Sequence, residues 1–118
     1  MPPDKQDPAL LWDMLEAARE IREFVAGLTF EEYTRNRMAQ RAVERSIEII
    51  GEAAGNVSKV FQDEHPEIPW RSIIGQRNVL AHEYGEVRQE RLWLVVTVKI
   101  PELILQLEPL VPAPDDKG

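Results

Sequence analysis

Apolar residues return every three or four positions along most of this chain, and nowhere do they alternate with polar ones as a half-buried strand requires. The first stripe, Met14, Ala17, Ile21, Phe24 and Leu28, predicts a helix over residues 8–27. Asp7 stands before it as an N-cap with Pro8 at the first helical position, and Gly27 closes it. Thr29 and Glu32 have the spacing of a capping box. They open a longer stripe of Met38, Ala42, Ile47, Ile50, Ala54, Val57 and Phe61, which predicts one helix over residues 31–63. At 1.5 Å per residue such a rod is roughly 50 Å long. Gly51 and Gly55 fall inside it at a spacing that suggests a bend or the close approach of another helix.

His65-Pro66-Glu67-Ile68-Pro69 must end that rod, because proline lacks an amide proton and drives its predecessor out of the α region. A short helix is then expected from Trp70 to Tyr84, with Gly85 as its stop. Trp93, Val96, Ile100, Leu103, Leu107 and Leu110 carry helical spacing from about Val87 onward, through a Pro101 that must kink or split the rod. The fold expected is all-α, an up-and-down bundle of four or five helices with a kinked last helix. Its expected bounds are residues 8–110, between a mobile N-terminal tail at 1–7 and a mobile C-terminal tail at 111–118 rich in Pro, Asp, Lys and Gly.

Composition narrows the function. The 118 residues suit one domain, and the absence of cysteine excludes disulfides, thiolate metal sites and cysteine nucleophiles. No apolar run approaches a membrane span or a signal peptide core, so a cytoplasmic protein is expected. A net charge of −7 opposes broad affinity for nucleic-acid phosphates. Locally the balance reverses, since Arg35, Arg37, Arg41 and Arg45 share their segment with one acid, Glu44.

The residues able to do chemistry gather in Arg77-Asn78-Val79-Leu80-Ala81-His82-Glu83-Tyr84. Glu-x-x-His and HExxH metal patterns are missing, as are glycine-rich phosphate loops, and His65 reads as an exposed loop residue. At about 100° per residue Asn78 aligns with His82 and Arg77 with Tyr84, while Arg77 and His82 stand about 140° apart. They converge only by flanking a groove, by a distorted last turn, or by pairing with a second copy across a two-fold axis. The pair suits metal-free cleavage of RNA, whose 2′-hydroxyl is a built-in nucleophile: histidine moves protons and arginine neutralises charge on the phosphorane. A structural histidine is the competing explanation.

Arg77-x4-His82-x-Tyr84 resembles the R-x4-H-x-Y motif of HepT-like ribonuclease toxins of the HEPN superfamily. The resemblance extends to Ala42–Ala53, to Ile68-Pro69-Trp70 with residues 75–84, and to Trp93 with Pro101-Glu102-Leu103, and so covers residues 8–108. Gln76 departs from it, standing where an apolar residue is expected. The resemblance implies a homodimeric, metal-independent endoribonuclease, the toxin of a type II/VII-like toxin–antitoxin module. Its composite site would join Arg77 and His82 of both protomers, with Asn78 in support. It also implies a minimal nucleotidyltransferase as antitoxin, which spends ATP to place AMP on Tyr84; the toxin itself would need no cofactor. The alternatives are a non-catalytic helical dimerisation module that holds such a nucleotidyltransferase, and a nucleotide-binding protein that does not cut RNA.

Overall fold

The computed structural model describes residues 6–82 and 85–111, with side chains for 6–76 and 88–111. Most of the tails expected at 1–7 and 111–118 (residues 1–5 and 112–118), Tyr84, and the side chains of Arg77, Asn78 and His82 lie outside the described residues. Among the described residues all regular structure is helical: α1 (Asp7–Val25), α2 (Phe30–Arg35), α3 (Arg37–Asn56), α4 (Lys59–Glu64), α5 (Trp70–His82), α6 (Gly85–Leu94) and α7 (Ile100–Leu107). The all-α class is as expected, but seven α-helical segments stand where four or five were expected.

The single rod over 31–63 is in fact three helices. Asn36 adopts an extended backbone, and its side chain accepts the Ala39 amide at 3.0 Å, starting α3 afresh. Four residues on, the Gln40 side-chain amide donates to the Tyr33 and Thr34 carbonyls at 2.8 and 2.9 Å, satisfying the end of α2. The second break repeats the device. The Ser58 hydroxyl accepts the Phe61 amide, and Gln62, again four residues on, donates to the Ala54 and Val57 carbonyls. Each break thus satisfies both the new helix's donors and the old one's acceptors. Gly55 has open space around the position of a Cβ, so no helix approaches it closely.

At the other boundaries the expectations hold more closely. Gly27 takes φ +78°, the left-handed conformation that glycine adopts without steric cost, and turns the chain out of α1. Thr29 and Glu32 make both hydrogen bonds of the capping box. Gly85, expected to stop α5, instead begins α6. Pro101 is accommodated by a π turn at Val95–Lys99, in which the Ile100 amide bonds to the Val95 carbonyl. The wider turn shifts the register so that the missing proline donor falls in the first turn of α7.

The core is built from Leu11, Met14, Leu15 and Ile21 of α1, Val43, Ile47 and Ile50 of α3, and Leu92, Val96, Ile100, Leu103 and Leu107 along the α6–α7 rod. Phe24 and Met38, expected on the apolar stripes, are 38% and 84% exposed. The break at Asn36 resets the register, so Ala39 and Val43 take the inward positions. No helix among the described residues is long and apolar enough to cross a membrane.

Asp7 ties the two ends of the α1–α3 pair together. It is the first residue of α1 rather than an exposed cap, is 2% exposed, and accepts the Ser58 amide at 2.9 Å and the Ser58 hydroxyl at 2.6 Å. Asp7→Ala would strand a donor pair and is expected to lower stability by about 1–3 kcal/mol in chemical denaturation. Asp7→Asn, which keeps one acceptor, should lose less.

Candidate active site

The helix that carries the candidate residues is anchored at its start. Ile68 is buried, the Ile73 amide donates to the Pro69 carbonyl, and the Trp70 indole donates to the His65 carbonyl at 2.9 Å. His65 is not the exposed connector expected. It is half-buried, stacks on Phe61 with ring centroids 4.4 Å apart, and pairs through Nδ1 with Glu67 at 3.0 Å. A hydrogen bond from Glu67's own backbone amide, then one from the His65 ring, hold the Glu67 carboxyl below the usual carboxylate range. From α7, Gln106 donates to the Glu67 carbonyl at 2.8 Å. These contacts fix the Pro-rich loop and, through it, the direction of α5.

Beyond that anchor α5 lies against α3. Ile73 and Ile74 pack on the core, while Gln76 lines a cavity of about 160 Å³ with Ile47, Ile50, Lys99 and Leu103. The polar residue at the departure from the family pattern therefore faces a pocket between α3, α5 and α7, rather than the continuous apolar core. Arg77, Asn78 and His82 occupy the last turns of α5. With the backbone helical through His82, Arg77 and His82 are separated by about 140° around the axis and about 7.5 Å along it. Asn78 and His82 are one turn apart. One copy of α5 therefore presents Arg77 and His82 on different sectors.

A polar cluster overlooked by sequence reasoning begins four residues after Tyr84. Arg88 pairs with Glu44 of α3 at 3.0 Å, and Gln89 donates to the same carboxylate at 3.5 Å. Both members of the ion pair are about four-fifths buried. Beside them the Tyr33 ring is 0% exposed and packs on Trp93 at 5.1 Å. The cluster pins the start of α6 to α3, and so holds the chain just after the candidate motif. Glu44 was legible as the sole acid among the segment's arginines, but its partner lies 44 residues away.

Among the described residues the Tyr33 hydroxyl is buried without a hydrogen-bond partner. Burial first, then the Glu44 carboxylate, push its phenol far above the ordinary tyrosine range, with Arg88 opposing. A raised folded-state pKa contributes stability that is fully present below the unfolded value of about 10 and is lost as pH rises above it. Because the unpartnered hydroxyl is desolvated without a compensating hydrogen bond, Tyr33→Phe is expected to stabilise the fold by about 1 kcal/mol at neutral pH. Its advantage over wild type in urea should widen above pH ~10.

Comparison with known proteins places this helical frame in a family. The sequence profile of the family described as "HepT-like: Ribonuclease HepT-like" matches residues 14–110. "Probable ribonuclease HepT" of Thermococcus cleftensis is 41% identical over 100 residues, covering 85% of this chain and 91% of the relative. "Putative RNase MJ0127" of Methanocaldococcus jannaschii is 35% identical over 109 residues, covering 92% and 90%. No solved structure matches the chain significantly. The match spans α3, α5 and the α6–α7 rod, including every candidate site residue, and the chain belongs to the HepT-like ribonuclease family.

Proposed function

We propose that this chain is a metal-independent endoribonuclease, the toxin of a toxin–antitoxin pair, acting as a homodimer whose single composite site draws Arg77 and His82 from both protomers. Membership of a ribonuclease family over residues 14–110, with Arg77-x4-His82-x-Tyr84 intact inside that span, carries the reading. The 140° offset along α5 supports the dimer, since a second copy related by a two-fold axis supplies the sector that one copy lacks.

In this site one His82 accepts the proton of the ribose 2′-hydroxyl as its oxygen attacks the adjacent phosphorus. His82 of the second protomer gives a proton to the departing 5′-oxygen as the P–O bond breaks. The two Arg77 guanidiniums stabilise the charge that builds on the phosphorane oxygens. Asn78, one turn before His82, orients the imidazole. The products are a 2′,3′-cyclic phosphate and a 5′-hydroxyl. Purified protein should therefore cut RNA in EDTA and leave cyclic phosphate ends; 3′-hydroxyl products, or dependence on added metal, would contradict this.

Regulation uses the tyrosine. The Tyr84 hydroxyl attacks the α-phosphorus of ATP bound to a nucleotidyltransferase antitoxin, forming a phosphodiester to AMP and releasing pyrophosphate and a proton. The added negative charge beside His82 repels an RNA backbone and fills the site. Co-expression with a nucleotidyltransferase should add mass in multiples of AMP, and Tyr84→Phe should remove that addition. An unchanged adduct in the variant would move the modification elsewhere.

A further inference from the structure

The arginine cluster of residues 35–45 is resolved by the fold into parts with different fates. Arg35 belongs to α2 and pairs with Glu31 at 3.4 Å. Glu44, the segment's one acid, turns away to Arg88. What remains on the outer face of α3 is Arg37, Arg41 and Arg45, all exposed, and among the described residues none of the three forms an ion pair. Spaced four residues apart, they make a stripe about 12 Å long that drifts about 40° per step.

The helix itself does not account for this stripe. α3 has no acid in its first turn and no base in its last, while Glu48 and Glu52 occupy the C-terminal half of the same exposed face. That polarity opposes the helix dipole, which favours acids near the N-terminus and bases near the C-terminus. Met38, 84% exposed between Arg37 and Arg41, adds an apolar side chain to the same region. Arg45 shares a shallow groove with Asp13 and Glu52, so of the three arginines Arg37 and Arg41 hold the least opposed charge among the described residues.

The stripe also lies at the motif's end of the bundle. Ile47 and Ile50 of α3 share a cavity with Ile73 and Gln76 of α5, and Glu44 meets Arg88 at the start of α6. α5 therefore runs antiparallel to α3, and its turns beyond Gln76 pass beside the N-terminal half that carries the arginines. Around α3, Arg37 stands about 20° and Arg41 about 60° from Glu44, on the outward side.

We propose that Arg37, Arg41 and Arg45 form the docking surface for the phosphate backbone of single-stranded RNA, with Glu48 and Glu52 repelling the strand and confining it to the motif's end. The proposal rests on the ribonuclease reading and adds to it where the substrate lies. It also explains how a chain of net charge −7 engages a polyanion, through a local patch rather than its overall field.

The test compares wild type with Arg37→Gln/Arg41→Gln/Arg45→Gln, and with Arg41→Gln alone should the triple variant melt early, on a fluorescent single-stranded RNA. KM should rise about tenfold in the triple variant with kcat within twofold, and the slope of log affinity against log salt should fall by about 2, at about 0.7 per lost phosphate contact. Unchanged KM and salt slope, with wild type cutting normally, would overturn the docking surface and leave the ribonuclease reading intact. A triple variant that becomes monomeric while wild type stays dimeric would assign the stripe to a protein interface and also overturn it. Should wild type fail to cut any RNA, the ribonuclease reading fails separately. Binding of the same RNA then decides the stripe, by its loss or retention in the triple variant.

Discussion

His82→Ala is expected to lower RNA cleavage by at least about 100-fold, the usual contribution of a positioned proton-transfer group. The proposed chemistry makes the loss large, because the composite dimer site would lose both its base and its acid in one substitution. Stability should change little, since alanine favours a helix more than histidine does. A loss of activity with an unchanged urea midpoint thus separates chemistry from folding. Arg77→Ala should fall comparably, by about 100- to 1,000-fold, if the guanidiniums stabilise the phosphorane. Arg77→Lys should recover only part of this, because an ammonium keeps the charge but not the forked donors. Full cleavage by His82→Ala would return His82 to the structural role that its residue type alone allows.

How much of this was legible in the sequence depends on which physical signal each feature leaves. The capping box at Thr29 and Glu32, the Gly27 turn and the loop at His65–Pro69 are local chemistry, and each appears where the residues predict it. The breaks at Asn36 and Ser58 are hidden because apolar spacing runs on across both, masking the two capping residues. A subtler signal was present: each capping side chain is followed four residues later by a glutamine that satisfies the preceding helix's carbonyls. Met38 was misplaced for the same reason, since a stripe extended through a break keeps the wrong register.

At the site, the residue types and their angular offset on α5 could be read directly, because helical spacing fixes them once the helix is established. The Glu44–Arg88 pair could not, because an ion pair 44 residues apart in the chain leaves no periodic trace. That pair changes the meaning of two sequence features together. It removes the only acid from the arginine segment, and it holds the first turn of α6 against α3 through Arg88, four residues after Tyr84. Gln76 likewise acquires a reason only in the fold, where it borders a cavity rather than interrupting an apolar stripe.

The central claim is that one site needs both chains. It is tested most directly by a heterodimer of wild type and His82→Ala, isolated through two different affinity tags and assayed on RNA in EDTA before subunits exchange. A composite site that uses His82 from each protomer predicts activity below about a tenth of wild type, since removing one proton-transfer group costs at least about 100-fold. Activity near half that of wild type would mean that each protomer carries its own complete site, and would contradict the account.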